Sequence, residues 1–160
     1  MIKNIFFLTF FLSLVSCGGV DFVLKEKNSL SVFKNNTLVE VSNNSEKNFD
    51  EQLFSMFGNN KNGDFVLVTH FSEKKENRLV KKNQVAEKID YEITVKYVLY
   101  YKNRNCKIYN KQIVSNFSFV PKSDGYNFGT DRSFEKLYKE SARKNILNFV
   151  NSTPKDMVCL

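Results

Sequence analysis

The amino-acid sequence predicts an α/β (α+β) two-layer sandwich. It should have a sheet of about four strands with two helices packed on one face, in the order β-α-β-β-β-α. Three observations lead there. From Ile89 onward, alternate residues Ile89, Tyr91, Ile93, Val95, Tyr97, Leu99 and Tyr101 are all apolar or aromatic, and those between begin Asp90, Glu92, Thr94 and Lys96. A period of two with this composition marks a strand that is greasy on one face and mostly polar on the other. Such a strand belongs to a sheet covered on one side only. Two other segments carry apolar residues at helical spacing and can cover that side. Finally, 160 residues with 42% hydrophobic and 14% aromatic content suggest one domain with a real core, not a disordered chain.

Residues 1–16 form the predicted leader. Lys3 precedes the apolar run from Ile5 to Leu12, and Ser13-Leu14-Val15-Ser16-Cys17 follows. A basic start, a short apolar region and a small-residue cut site make a secretory signal peptide. The run is short for a membrane span, which takes about 20 residues. Leu14-Val15-Ser16-Cys17 resembles the bacterial lipobox, whose Cys is lipidated and becomes the mature amino terminus. Cys17 is therefore the expected lipidation site, and residues 17–160 the single mature domain. Gly18, in place of the Asp that retains enteric lipoproteins in the inner membrane, is compatible with export to the outer one. Loss of the leader removes one lysine from a net charge of +7. The mature chain stays basic and suited to anionic partners.

The remaining elements follow in order. Residues 18–34 read as an extended arm in which Val20, Phe22 and Leu24 alternate; Leu30 and Val32 either begin a strand or lie along the domain. Thr37 to Val41 is a short strand. Asn48 suits a helix N-cap with Glu51 at N3, and Phe49, Leu53, Met56 and Phe57 share one face of the helix that follows. Gly58 is placed to end it in the left-handed conformation. Asp64 to Ser72 is the next strand, expected to fray through the charged residues 73–77 and resume at Leu79-Val80. Lys81 to Gln84 suits a turn or bulge before the long strand, Val85 to Tyr101. Lys102 to Asn105 is a polar hairpin loop. The return strand, Cys106 to Val120, changes phase between Ile108 and Phe117, which predicts a bulge near Asn110–Gln112. The last helix runs from about Asp131 to Val150. Its apolar face comprises Phe134, Leu137, Tyr138, Ala142, Ile146, Phe149 and Val150, with Glu135–Lys139 and Glu140–Lys144 as i,i+4 pairs. Pro154 blocks its extension.

Little in the chain suggests catalysis. His70, the lone histidine, has no evident nucleophile or metal-ligand cluster beside it and reads as an ordinary strand residue. Asp90 and Glu92 point the same way from one strand and do not flank a substrate as glycosidase acids do. There is no P-loop, GxGxxG, GxSxG or HExxH. No enzyme activity, cofactor or metal site is expected. Once Cys17 is assigned to lipidation, Cys106 and Cys159 remain. A bridge between them is chemically allowed in an oxidising compartment, and the sequence leaves it open because it carries no geometry. The basic residues Arg78, Lys81 and Lys82 fall between the second and third strands, and Lys88 and Lys96 on the polar face of the long strand. They could present cations to phosphate groups; the plainer reading is a solvated face. An RNA-binding sheet would pair such cations with exposed aromatics. Here the aromatics of the long strand mostly share the core face, and the signal peptide argues against such a role, so no nucleic-acid partner is expected.

A lipobox Cys followed by strand, short helix, long hairpin strands and a C-terminal amphipathic helix resembles the LPS-assembly lipoprotein family LptE. The segment Val85-Ala86-Glu87-Lys88-Ile89-Asp90-Tyr91 leading into Ile93-Thr94-Val95-Lys96-Tyr97 is similar to the Ala-Glu-Tyr-like start of that family's long strand. Phe134-x-x-Leu137-Tyr138-x-x-x-Ala142 with Ile146 resembles its final helix. At the amino end the chain departs, with Gly18-Gly19-Val20-Asp21 where members often carry an aromatic and then a Pro or apolar residue. The resemblance implies a non-enzymatic outer-membrane lipoprotein, anchored on the periplasmic side. It would assist assembly of the LptD β-barrel, plug its lumen and help deliver lipopolysaccharide. Cys17 carries over as the lipidated residue. Arg78, Lys81, Lys82 and Lys88 are candidate lipopolysaccharide contacts on charge and position. The other reading is an autonomous lipoprotein that binds a small apolar or anionic molecule in a closed pocket between sheet and helices.

Overall fold

A computed structural model describes residues 30–42, 45–80, 86–102, 106–121 and 128–160. The predicted leader, Cys17, most of the predicted amino-terminal arm, and Lys81 and Lys82 lie outside the described residues. Among the described residues, four strands and two helices follow a helical turn at residues 30–33. They are β1 (Thr37–Val41), α1 (Lys47–Phe57), β2 (Phe65–Val80), β3 (Ala86–Tyr101), β4 (Cys106–Phe119) and α2 (Phe128–Ser152). The sheet order is β1-β2-β3-β4. β1 runs parallel to β2 because α1 carries the chain back between them, whereas the other pairs are antiparallel. This is the expected two-layer arrangement, and both helices pack on one face of the sheet.

The core forms where the apolar faces meet. Phe49 of α1 packs its ring on Phe71 of β2 at 5.1 Å, and Phe149 of α2 stacks on Tyr97 of β3 at 4.4 Å. Ring pairs like these contribute about 1 kcal/mol each beyond the area they bury. Leu53, Leu67, Ile93, Leu99 and Ile146 are wholly buried between the layers. The alternation of β3 sorts as its sequence predicts: Ile93, Val95, Tyr97 and Leu99 lie inside at 0% exposure, and Glu92 and Lys96 lie on the open side.

Several local expectations are corrected. β2 does not fray at residues 73–77 but is one continuous strand, because each of these residues pairs with β3, from Glu73↔Ile93 to Asn77↔Ile89. Its inward side chains find partners as well: Glu73 accepts a 2.7 Å hydrogen bond from the Tyr138 hydroxyl, and Lys75 lies over the Tyr91 ring. The bulge in β4 sits at Ile108, not near Asn110–Gln112: Leu99 pairs with Tyr109 and Tyr100 with Lys107. Placing the extra residue there lets Ile108 enter the core at 1% exposure. The N-cap of α1 is Glu46, whose carboxylate accepts from the Asn48 amide at 2.7 Å; Asn48 is already inside the helix. Gly58 closes α1 with the expected positive φ of 74°, but its ψ of −164° is outside the left-handed helical region.

In α2, Leu137 is 36% exposed and is not part of the buried face. It stands about 100° around the helix from Tyr138. The buried stripe instead includes Ser141 and Asn145. Glu135 pairs with Lys139 as expected, whereas Glu140 pairs with Lys136, one turn back. Residues 30–33 form a helical turn, not a strand, and Phe33 is buried beneath it.

Candidate functional site

Among the described residues, no helix covers the polar face of the sheet. His70, Ser72, Lys74, Glu76 and Arg78 of β2 project from it, as do Glu92 and Lys96 of β3 and Gln112, Asn116 and Ser118 of β4, all exposed. Both described helices lie on the opposite side. This follows from strand periodicity, since every second residue of three long strands must share this face.

The candidate anion contacts divide between the described and the undescribed. Arg78 and Lys88 are direct cross-strand partners in the β2–β3 register, so the hairpin brings them together on the open face. Lys81 and Lys82 fall in the undescribed connection between these strands, and Cys17 lies in the undescribed amino-terminal segment. Asp90 stands between the two described cations. The Arg78 Nε lies 2.8 Å from Asp90 Oδ2, and the Lys88 Nζ lies 3.5 Å from Oδ1. Ser118 of β4, opposite Asp90 in the register, donates to Oδ1 at 2.6 Å. The Ser118 hydrogen bond is the main cause that holds the Asp90 carboxyl below its usual range; desolvation opposes it, and the charges of Lys88 and Arg78 add to the lowering. Arg78 also reaches Glu76 at 3.7 Å.

Arg78, Asp90 and Ser118, but not Lys88, line a groove of about 350 Å³ across β2, β3 and β4, together with Lys74, Glu76 and Glu92 among others. Its character is mixed, not simply basic. An incoming phosphate would have to compete with Asp90 for Arg78, which can offer its remaining N–H donors. From the sequence, Arg78 and Lys88 stand out by charge, Asp90 only as one of an acidic pair, and Ser118 not at all. The missing signal was register: once the β2–β3 hairpin is aligned, 78 falls opposite 88, and once β3–β4 is aligned, 90 falls opposite 118. Asp90 and Glu92 do share the open face. His70 is exposed there opposite Lys96.

At the base of the sandwich, Cys106 and Cys159 are joined by a disulfide with Cα atoms 5.4 Å apart. It ties the start of β4 to the tail that follows α2.

No protein-family model and no curated protein matches the chain. Solved structures do share its architecture. A candidate lipoprotein from Caulobacter crescentus CB15 superposes with a TM-score of 0.54 at 14% identity, covering 78% of this chain and 93% of that one. A minor lipoprotein from Acinetobacter baumannii gives a TM-score of 0.52 at 11% identity, covering 74% and 90%. The rare lipoprotein B of Shewanella oneidensis superposes less closely, with a TM-score of 0.46 at 10% identity over 72% and 89%. At these identities the likeness to the Caulobacter and Acinetobacter proteins is one of fold: this chain has the sandwich found in those bacterial lipoproteins.

Proposed function

We propose that this chain is a lipid-anchored lipoprotein of the bacterial envelope, without catalytic activity, that serves an outer-membrane β-barrel as LptE serves LptD. On this reading it is held to the periplasmic side of the outer membrane through Cys17. It assists the barrel's assembly, plugs its lumen and helps deliver lipopolysaccharide to the surface. The observation that carries the reading is the two-sided sheet, with both described helices on one face and a charged, hydrogen-bonding face left open. The interior of a transmembrane barrel is polar and accepts such a surface. The lipobox at Cys17 and the shared lipoprotein fold support the envelope address, and a disulfide suits an oxidising compartment.

Arg78, Lys81, Lys82 and Lys88 are the proposed lipopolysaccharide contacts. Arg78 and Lys88 are already gathered around Asp90 on the open face. Among the described residues, Phe49, Tyr97 and Phe149 are buried between sheet and helices, where a free-standing binding module would need its closed pocket.

The test is a pull-down of the tagged lipoprotein from detergent that preserves barrels, with mass spectrometry of its companions. A stoichiometric large β-barrel protein is the expected result. Recovery of the lipoprotein alone would overturn the reading and leave the autonomous binding module as the better account. A companion R78E/K88E variant should still bring down the barrel but carry less lipopolysaccharide.

A further inference from the structure

We infer that the Cys106–Cys159 disulfide is a redox-operated clip. It holds the carboxy-terminal tail across the start of β4, and a dithiol can open it without unfolding the sandwich. The inference does not rest on the barrel reading.

Three observations carry it. First, residues 157–160 belong to no helix or strand. Beyond Thr153 the tail reaches the body through Met157, packed at the edge of the core, through the Leu160 amide, which donates to the Lys107 carbonyl at 2.8 Å, and through the disulfide. The rest of it faces solvent, with Val158 at 70% and Leu160 at 78% exposure. Second, both tail bonds land on the two residues that precede the bulge. Cys106 and Lys107 come before Ile108, the extra residue that shifts the β3–β4 register. A bulge is where strand pairing is locally weakest, and a slip of one residue there would exchange the faces of the flanking strand. The tail therefore braces the place where β4 most needs it. Third, Cys159 is an exposed residue, while Cys106 and Met157 touch the core only at its partly buried edge. Tyr97, Asn145, Ile146 and Phe149 are all at 0% exposure and bind α2 to the sheet without the tail.

The exchange balances with a dithiol as the reductant. One thiolate of the dithiol attacks Sγ of Cys159; the S–S bond breaks, and Cys106 leaves as a thiolate that takes a proton. The second thiol of the reductant then displaces Cys159, which is released as a thiol. Two electrons and two protons pass from the dithiol to the protein, and the dithiol becomes a disulfide. The closed state caps the Lys107 carbonyl and fixes the bulge. The open state frees residues 154–160 and two thiols.

The experiment is amide hydrogen exchange by mass spectrometry on the purified oxidised chain, before and after dithiothreitol without denaturant, with trypsin cleavage after Lys155 as a second readout. Reduction should raise exchange about tenfold or more in residues 106–109 and in the tail, speed cleavage after Lys155, and leave residues 141–150 within about twofold. The C106A/C159A double variant should behave as the reduced protein does. Unchanged exchange at 106–109 would overturn the clip. So would a rise across 141–150, which would make the disulfide a staple of the whole fold, or failure of dithiothreitol to reduce the bond under native conditions.

Discussion

The hydroxyl of Tyr97, on β3, donates to Oδ1 of Asn145, on α2, at 2.8 Å, and both residues are fully buried. The Asn145 amide nitrogen turns the other way and donates to the carbonyls of Ile93 and Ile113 and to the Ser115 hydroxyl, at 3.4, 3.2 and 3.1 Å. One side chain thus satisfies polar groups on two strands and fixes α2 over the β3–β4 pair. A greasy interface alone would hold the helix but would tolerate sliding; this network specifies where it sits.

Removing either partner should be costly. Asn145→Ala leaves a buried hydroxyl and strand carbonyls without their donors or acceptors, and is expected to lower unfolding stability by about 3 kcal/mol. Tyr97→Phe loses one bond while keeping the ring stack on Phe149, and should cost about 1–2 kcal/mol. Urea denaturation of the two single variants and the double variant would show the coupling: the double should cost clearly less than the sum.

Alkaline pH should loosen the same interface. Burial raises the Tyr97 phenol well above its ordinary 10.0, and burial together with the bond to Glu73 does the same for Tyr138. A group whose folded pKa is raised binds its proton more tightly when folded, so its stabilisation is complete below 10.0 and declines as pH rises beyond that. Denaturation midpoints measured upward from neutral pH should stay level and then fall above 10.0, and the fall should be shallower in Tyr97→Phe and in Tyr138→Phe. An equally steep fall in both variants would assign the alkaline transition to other groups.

Gly63 tolerates no side chain. A Cβ there would lie 2.4 Å from the Asn36 carbonyl carbon and oxygen and 2.8 Å from the Thr37 nitrogen. These are backbone atoms at the entry to β1, and the Asn36 carbonyl also accepts from the Phe65 amide. Gly63→Ala should therefore separate the starts of β1 and β2 and destabilise the protein by about 2–3 kcal/mol, as overpacking does. Thermal unfolding of the variant would measure it.

On the open face, the Asp90 carboxyl should titrate below 3.8, with Ser118 as the largest cause. Ser118→Ala should move its midpoint up, followed by carbon-detected NMR of the carboxyl. Because the folded pKa is depressed, the small contribution to stability is present above 3.8 and is lost as pH falls through the folded value. A midpoint that does not move in Ser118→Ala would assign the shift to Lys88 and Arg78 instead.

What the sequence by itself determined is whatever depends on local period and local chemistry. The strict alternation of Ile89 to Tyr101 dictates a strand with one core face, and the spacing of Phe49, Leu53 and Phe57 dictates a helix with one buried stripe. Pro154 limits the extent of α2, and Gly58 takes the positive φ that ends α1. With one half-greasy sheet and two amphipathic helices, the two-layer sandwich follows because those faces have only each other to cover them. Only the tertiary structure decided the rest, since it depends on which distant residues become neighbours. The charged run at 73–77 reads locally as a break and is a strand because β3 pairs with it along its length. Asn145 is not among the apolar residues that mark the helix face in the sequence, and it is buried because two strands present acceptors to it. Arg78, Lys88, Asp90 and Ser118 become one cluster only through two strand registers, and Cys106 meets Cys159 across 53 residues of sequence only when α2 folds back over the sheet. Register and long-range closure are set by the sum of many weak pairings over the whole sheet, and no short window of residues contains that sum.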